Sequence, residues 1–248
     1  MDDQYKNADS LNQRISIHDR YSVNKQGYGN WIFERYRLKP GDRILELGCG
    51  TASMWKDKTL PEGCALYLTD LSDGMLEAAK ENAAHLREAR FQRADIQAIP
   101  FEERSFDCVI ANMMLYHVPD LHKGLAEVRR VMKPGDAFYC ATYGEKGIMA
   151  YLSGLLARFG VTDPLNRRFT LQNGEHILKQ NFSTVAREDY PDALKVTEPE
   201  DLADYLYSLG SMTKLDPAYR PEIVDTLRRE MKNGVLTVPK EYGMFICG

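Results

Sequence analysis

The sequence predicts an α/β protein with a mostly parallel sheet and helices on both of its faces. Three observations carry this prediction. Short apolar stretches of strand length alternate with longer stretches in which apolar residues recur at helical spacing. The first apolar stretch, residues 44–47, ends at two glycines spaced by one residue, Gly48 and Gly50. Two further predicted strands end at acids, Asp70 and Asp95, and ligands of open parallel sheets bind at this carboxyl edge.

The strands are predicted from apolar runs bounded by turn residues. Pro40, Gly41 and Asp42 punctuate the chain before the first strand, and Lys133–Asp136 is expected to close a helix before the fifth. We predict strands over residues 44–47, 64–70, 90–95, 105–112 and 137–143, one sixth strand within 183–196, and a last strand over 242–247.

The helices are predicted from apolar residues three or four positions apart and from capping residues. Thr170 is expected to cap one helix, Pro199 to stand in the first turn of another, and Gly234 to end a third. We predict helices over residues 10–21, 30–37, 52–58, 71–86, 121–132, 148–159, 170–182 and 219–233, and one beginning at 198–202.

Composition limits the class of protein. The 248 residues suffice for one domain with embellishments, and 44% apolar and 27% charged residues are ordinary for a globular chain. A net charge of −4 argues against nucleic acid as the main partner. The five cysteines form no C-x-x-C pair and have no histidine at metal-ligand spacing, which predicts a reducing compartment and no structural metal. With no signal-peptide pattern and no apolar segment of membrane-spanning length, we expect a cytoplasmic protein without a membrane partner.

The glycine turn suits a nucleoside ligand that carries a positive charge. A strand that turns into a helix leaves backbone N–H groups pointing into one small space, and glycine lets a ligand approach them. No Gly-Lys-Ser/Thr follows, so a phosphate-binding loop is excluded, and Ser53 stands where a dinucleotide fingerprint has its third glycine. Glu46, at the end of the apolar strand, would repel a pyrophosphate and favour a cation.

Residues 46–52 resemble the first motif of the class I S-adenosylmethionine-dependent methyltransferases, an acid followed by Gly-x-Gly-x-Gly. Glu46, Gly48 and Gly50 match this motif, and Ala52 replaces its last glycine. The resemblance extends over about residues 42–142. It implies a Rossmann-like sheet of seven strands, mostly parallel with the last strand antiparallel, together with N-terminal helices and a helical cap insertion.

The resemblance also implies how the chain is divided. Residues 1–41 would form an N-terminal helical lid segment, and residues 42–144 the core that binds S-adenosylmethionine. Residues 145–248 would supply the cap helix, substrate-side elements and the last two strands of the same domain. We expect a monomer or a homodimer.

The resemblance assigns the cofactor contacts to the carboxyl ends of the first four strands. Glu46 and the glycine turn would take the methionine end of S-adenosylmethionine. Asp70 lies 20 residues beyond Gly50, the offset at which a carboxylate reaches a ribose diol, and Asp95 would take the adenine. The implied cofactor-binding residues are Glu46, Gly48, Cys49, Gly50, Asp70, Leu71, Asp95, Ile96, Asn112 and Met113.

The acceptor side is predicted from polar and aromatic residues beside these strands. His117 follows the fourth strand, and an imidazole with a pKa of about 6.5 suits deprotonation of a hydroxyl or thiol. A structural hydrogen bond at the start of the next helix is the alternative role of His117. Tyr28 and Trp31 could likewise serve to hold the N-terminal helices against the core. The candidate catalytic residues are His117, Tyr21 and Tyr116, and the candidate substrate-binding residues are Tyr28, Trp31 and Tyr143.

The resemblance implies an enzyme that transfers a methyl group from S-adenosylmethionine to an N, O, S or C atom of a small molecule by in-line displacement, leaving S-adenosylhomocysteine. The sulfonium is already activated, so the reaction requires neither a metal nor a nucleophilic side chain. The mild acidity and the apolar helix 148–159 favour a small, partly apolar acceptor. A methyltransferase of tRNA or protein and a non-catalytic S-adenosylmethionine-binding or partner-binding protein stay open as alternatives.

Overall fold

The computed structural model describes residues 16–209 and 215–248, which form two compact units. The larger one, here the core unit, comprises Gly27–Gly144, Asn166–Tyr190 and Tyr242–Gly248. The smaller one, here the second unit, takes the described residues of Met1–Gln26, Glu145–Leu165 and Pro191–Glu241. Of the predicted first helix, residues 16–21 are helical and residues 10–15 lie outside the described chain. The lid role of residues 1–41 stays a prediction.

A seven-stranded mixed sheet is the centre of the core unit. Its strands are β1 Arg43–Leu47, β2 Ala65–Asp70, β3 Ala89–Arg93, β4 Phe106–Ile110, β5 Met132–Tyr143, β6 Val185–Tyr190 and, last in the chain, β9 Tyr242–Cys247. Their spatial order is β3–β2–β1–β4–β5–β9–β6. The pairs among β1–β5 are parallel, whereas β9 is antiparallel to both β5 and β6. The predicted fold class is confirmed, including the antiparallel last strand.

The helices do not alternate strictly with these strands: in the described chain, α-helices join β2 to β3 and β4 to β5, but none lies between β1 and β2 or between β3 and β4. They are α1 Tyr28–Phe33, α2 Asp73–Asn82, α3 Leu121–Val131, α4 Ile148–Leu155, α5 Gly174–Leu178, α6 Pro199–Ser208 and α7 Arg220–Glu230. Side chains cap two of them: Ser72 Oγ accepts from Met75 N at 3.3 Å before α2, and Asp120 Oδ1 accepts from Lys123 N at 3.0 Å before α3.

Apolar side chains bury both faces of the sheet. On one face, Val128 of α3 packs in a cluster with Phe138 of β5. On the other, Trp31 of α1 and Ala79 of α2 pack with Tyr139 of β5. A parallel strand that is covered on both sides needs apolar residues at successive positions, which explains the continuous run in β1. The interior residues of the central strands β1 and β2 are buried, and the polar groups Glu46 and Asp70 lie at or near the carboxyl ends of these strands.

The second unit has an apolar core of its own. It contains a two-stranded antiparallel sheet, formed by β7 Ala193–Val196 and β8 Leu236–Pro239. Leu152 of α4, Leu206 of α6 and Leu227 of α7 pack in one cluster with the residues of this sheet. Across residues 16–209 and 215–248, no helix has the length and apolar character needed to cross a membrane.

Two predicted helices differ from the structure. Residues 52–58 do not continue as an α-helix but form a 3₁₀ turn, Ser53–Trp55, because the fully buried Trp55 side chain holds this turn against the sheet. The helix predicted over 170–182 is reduced to α5, and Thr170 is not its cap. Thr170 is buried, and its backbone N–H donates to Asn173 Oδ1 at 2.7 Å.

Two strand predictions also differ from the structure. The single strand expected within residues 183–196 is two strands, β6 and β7, which belong to different sheets. Pro191 and Asp192 separate them, and proline cannot donate a ladder hydrogen bond. Residues 133–136 were expected to form a turn between α3 and the fifth strand, but they belong to β5, which begins at Met132.

His18 lies in the helical residues 16–21 of the second unit and is held neutral there. Burial lowers its pKa to about 4; Lys240 adds to the decrease and Asp192 opposes it. The Tyr205 ring meets the imidazole edge-on with 6.4 Å between centroids. Within the described chain, Nδ1 of His18 is buried without a hydrogen-bond partner. Protonation of this ring therefore conflicts with its surroundings.

We expect acid to destabilise the protein through His18. In the unfolded chain the histidine is protonated below about pH 6.5, whereas in the folded protein His18 is protonated only below about pH 4. The contribution of neutral His18 to the unfolding free energy is therefore complete above pH 6.5 and is lost as the pH falls towards 4. Between pH 7 and pH 5, the unfolding free energy of the wild type should fall by about 2 kcal/mol more than that of His18→Leu. Urea unfolding at both pH values measures this difference, with exposed His122→Leu as the control. Equal acid losses in the wild type and His18→Leu would contradict the prediction.

Candidate functional site

The turn after β1 is formed by two glycines with left-handed backbone conformations. Gly48 has φ 65° and Gly50 φ 55°, and the N–H of Cys49 between them donates to Thr69 O at 2.9 Å. A Cβ on Gly48 would lie 2.9 Å from Cβ and Cγ of Met114, so packing requires glycine there. A Cβ on Gly50 would meet nothing within 4 Å. The backbone at Gly50 therefore faces open space, where a ligand can approach it.

Asp70 ties this turn to the carboxyl end of β2. Its Oδ2 accepts from Gly50 N at 2.9 Å and its Oδ1 from Ser72 N at 2.9 Å. A carboxylate oxygen can accept two hydrogen bonds, so each oxygen keeps a further acceptor position. The next residue, Leu71, is 53% exposed, which is unusual for a large apolar side chain. Asp70 and Leu71 thus present a polar and an apolar contact side by side.

The third acid lies just beyond β3. Asp95 Oδ1 accepts from the backbone N–H of Gln97 at 2.8 Å, and the Gln97 side chain donates to both carboxylate oxygens at 3.2 Å. Ile96 is buried, and its side chain lies against Gly124 of α3. The predicted contact of Ile96 with adenine therefore has no exposed face in this conformation and stays a prediction.

Glu46 is a buried carboxyl group inside the end of β1. Trp55 Nε1 donates to its Oε2 at 2.5 Å, and Asn112 Nδ2 lies 3.4 Å from its Oε1. Burial raises the pKa of Glu46 to about 7, against the effect of the hydrogen bonds from Trp55 and Asn112, and the charge of Asp70 adds to the rise. A neighbouring cation favours the ionised form of such a carboxyl group and lowers its pKa.

Asn112 follows β4 and completes the polar cluster around Glu46. Its Nδ2 lies 2.7 Å from the Tyr36 hydroxyl and 3.5 Å from Met54 Sδ. Its Oδ1 is buried and, among the described residues, has no hydrogen-bond partner. Sequence reasoning missed Tyr36, Met54 and Trp55. The one available signal was chemical, since buried tyrosine and tryptophan need partners for their polar atoms.

These residues fit S-adenosylmethionine, which has an ammonium group at its amino-acid end, a positively charged sulfonium, a ribose diol and an adenine. The unpartnered Asn112 Oδ1 and the carboxylate of Glu46 are acceptors for an ammonium group. Asp70 retains acceptor positions for two ribose hydroxyls. Exposed Leu71 offers an apolar surface to a flat ring. A phosphate group would find the carboxylates of Glu46 and Asp70 in the place where it needs donors.

The ends of β4 and β5 carry a group of rings. The Tyr116 centroid lies 4.5 Å from those of His117 and Tyr143, and Tyr143 donates its hydroxyl hydrogen to Asn166 O at 3.0 Å. Burial lowers the pKa of His117, so the neutral form, which can accept a proton, prevails at pH 7. Met113, at φ 52°, turns the chain from β4 towards this group. Candidate base and aromatic residues are thus adjacent.

Other predicted acceptor-side residues have different surroundings. Tyr28 donates to Gly243 O at 2.8 Å, and its ring lies 5.9 Å from that of Trp31, which is itself buried. These two residues pack α1 onto the end of the sheet, as the alternative interpretation expected. Tyr21 belongs to the second unit, where its hydroxyl donates to Asp201. The catalytic role of Tyr21 and the substrate contacts of Tyr28 and Trp31 stay predictions.

The comparisons with known proteins identify the class. Residues 45–140 match the family model of the methyltransferase domain. This segment contains the glycine turn, all three acids at the strand ends and Asn112. Together with the strand order of the sheet, the match supports a class I S-adenosylmethionine-dependent methyltransferase, as the first motif predicted.

Individual relatives and solved structures agree with this class. The demethylmenaquinone methyltransferase of Staphylococcus haemolyticus is 32% identical over 134 residues, which are 53% of this chain and 54% of that protein. The chain thus spans about half the length of this curated relative. Phosphoethanolamine N-methyltransferase 2 of Haemonchus contortus, solved with S-adenosylhomocysteine and phosphomonomethylethanolamine, has a TM-score of 0.57 at 17% identity, over 99% of this chain and 58% of that chain. The YcgJ protein of Bacillus subtilis has a TM-score of 0.55 at 17% identity, over 88% of this chain and 96% of that chain. At such identities the structures share the fold alone.

Proposed function

We propose that the chain is a methyltransferase that binds S-adenosylmethionine and methylates an N, O, S or C atom of a small molecule. The observation that carries this proposal is the cluster of acceptors beside an open glycine turn. Glu46, Asp70 and Asp95 stand at or just beyond the ends of three neighbouring strands, and Gly50 faces open space. That arrangement suits a positively charged nucleoside better than a phosphate compound.

The chain's own residues bind and orient in this proposal. When bound, the cofactor supplies a methyl group that is already activated by the sulfonium. Glu46 and Asn112 hold its ammonium group, Asp70 holds the ribose, and Leu71 covers the adenine. Holding donor and acceptor in line can contribute roughly 7–11 kcal/mol to lowering the barrier, which is the main task of such a site. His117, neutral at pH 7, accepts the proton of a hydroxyl or thiol acceptor; an amine that arrives neutral needs no base.

The acceptor is proposed to be small and partly apolar. The Staphylococcus haemolyticus relative is named as a demethylmenaquinone methyltransferase, which supports a small-molecule acceptor. The ring group of Tyr116, His117 and Tyr143 offers flat apolar surface next to a candidate base. These observations support a flat acceptor that bears an ionisable group.

A labelled-methyl transfer assay tests the function. The protein would be incubated with methyl-labelled S-adenosylmethionine and, in separate reactions, phenols, quinols, thiols, amines, bulk RNA and a protein lysate. Label in a small molecule, lost in Glu46→Gln, is the expected result. Label only in RNA or protein would establish the alternative substrate class. Cofactor binding without transfer to any acceptor would favour the non-catalytic alternative.

The ionisation of Glu46 predicts how cofactor binding depends on pH. With a pKa of about 7, the ionised fraction of Glu46 rises about tenfold from pH 6 to pH 8, and a cationic ligand prefers the ionised form. S-adenosylhomocysteine, which keeps the ammonium group, should therefore bind about tenfold more tightly at pH 8 than at pH 6. Calorimetric titration of the wild type and Glu46→Gln measures this. If the affinity of Glu46→Gln changed by the same factor between pH 6 and pH 8, the pH dependence would belong to another group.

A further inference from the structure

The orientation of the Asn112 side chain is set by the acceptors around it. Its Nδ2 faces the Tyr36 hydroxyl oxygen at 2.7 Å, Glu46 Oε1 at 3.4 Å and Met54 Sδ at 3.5 Å. The opposite orientation would place the carbonyl oxygen of Asn112 against the carboxyl group of Glu46. An amide is assigned from such contacts, and here they put the N–H₂ group towards Tyr36 and Glu46.

The shortest of these contacts is the one to Tyr36. The Tyr36 hydroxyl directs its hydrogen to Met54 Sδ at 3.7 Å, which leaves its oxygen to accept from Asn112. The Tyr36 ring is buried and cannot swing away: it stacks on Trp55, with 6.3 Å between centroids, and meets Tyr139 edge-on at 5.0 Å. The tyrosine therefore offers Asn112 a fixed acceptor.

The consequence appears on the other side of the amide. With Nδ2 held by Tyr36, the carbonyl oxygen of Asn112 is buried without a partner among the described residues. Leaving a buried acceptor unpaired costs about 1–3 kcal/mol, which a ligand that brings a donor would recover. Glu46, the neighbour of this amide, adds negative charge when ionised. The Asn112 carbonyl oxygen and the Glu46 carboxylate together form a binding site for a cationic N–H donor, and the carbonyl oxygen has no partner within the described chain until that donor binds.

We infer that Tyr36 is a positioning residue for the amino-acid end of the cofactor, acting through Asn112. The Tyr36 hydroxyl holds the Asn112 amide so that its carbonyl oxygen accepts an N–H of the cofactor's ammonium group beside Glu46. Tyr36 itself makes no contact with the cofactor in this inference. The inference rests on the proposed function, because it requires that the cofactor bind at this site.

Two ligands that differ only at the amino-acid end test the inference. S-adenosylhomocysteine carries the ammonium group, whereas 5′-methylthioadenosine keeps the adenosine and the sulfur but lacks that end. Tyr36→Phe should weaken binding of S-adenosylhomocysteine about tenfold, because the Asn112 carbonyl oxygen is then no longer held towards the charged ammonium group. The affinity for 5′-methylthioadenosine should not change. Tyr139→Phe is the matched control, because its hydroxyl accepts from Arg37 N at 3.1 Å and its ring is in the same cluster. It should change neither affinity.

A second variant separates positioning from general loosening of the fold. Asn112→Ala removes the group through which Tyr36 acts, so adding Tyr36→Phe to it should cause no further loss of S-adenosylhomocysteine binding. Three outcomes would overturn the inference and leave the proposed function standing. Tyr36→Phe could weaken binding of both ligands equally, or it could leave the affinity for S-adenosylhomocysteine unchanged. It could also reduce that affinity as strongly in the Asn112→Ala variant as in the wild type. A wild-type protein that binds neither ligand would overturn the proposed function, and the inference with it.

Discussion

Replacing Asp70 by alanine is expected to weaken binding of S-adenosylhomocysteine at least about 100-fold, since each hydrogen bond to a charged group contributes about 1.5–3 kcal/mol and two ribose hydroxyls lose their acceptors. The same change frees the backbone N–H groups of Gly50 and Ser72, which Asp70 now binds at 2.9 Å. The glycine turn would then lose its link to β2. Calorimetric titration of the purified variant measures the loss directly.

Asp73→Ala is the matched control for this substitution. Asp73 is an exposed carboxylate three residues further on, and its contact to Arg93 is a loose one at 3.8 Å. Removing it changes the net charge by the same amount without touching the turn. We expect its affinity for S-adenosylhomocysteine to match that of the wild type. Equal affinities of the Asp70→Ala and wild-type proteins would contradict the ribose role.

Gly48→Ala is expected to lower the unfolding free energy by about 3 kcal/mol, of which roughly 1–2 come from a left-handed conformation with a Cβ and the rest from overpacking. The added Cβ would lie 2.9 Å from Met114 at two atoms, closer than side chains approach one another. Met114 and the end of β4 would have to move. Urea unfolding followed by circular dichroism measures the loss.

Gly50→Ala separates the two contributions to this loss. Its φ of 55° imposes similar backbone strain, but the added Cβ meets no protein atom within 4 Å. We expect this variant to lose about 1–2 kcal/mol of unfolding free energy and, because its methyl group enters the open space, to lose cofactor affinity as well. If both glycine variants lost the same stability, Met114 would not constrain the turn.

Local sequence was sufficient to predict which residues meet at the centre of the candidate site. The strand, the glycine turn and the acids after β2 and β3 are each defined by residues consecutive in the chain, and the parallel order of strands brings them to one edge. Pro199 also stands in the first turn of its helix as expected, because such a signal depends on residues within one turn.

Contacts between distant residues explain what could not be predicted. Nothing in residues 52–58 opposes a helix, but Trp55 binds Glu46 and is drawn into the core, and tertiary packing overrides local preference. Tyr36 and Asn112 are 76 positions apart, so no spacing rule links them. The sheet of β7 and β8 depends likewise on a pairing across some 40 residues, which alternation in either short strand does not specify.

The most direct test of the central claim is a pair of titrations of the wild-type protein, one with S-adenosylhomocysteine and one with ADP. Both ligands carry adenosine, but one ends in an amino acid with an ammonium group and the other in phosphates. If the acids at the ends of β1, β2 and β3 together bind an adenosine that carries an ammonium group, S-adenosylhomocysteine binds and ADP does not. Binding of ADP in preference to S-adenosylhomocysteine would contradict the claim.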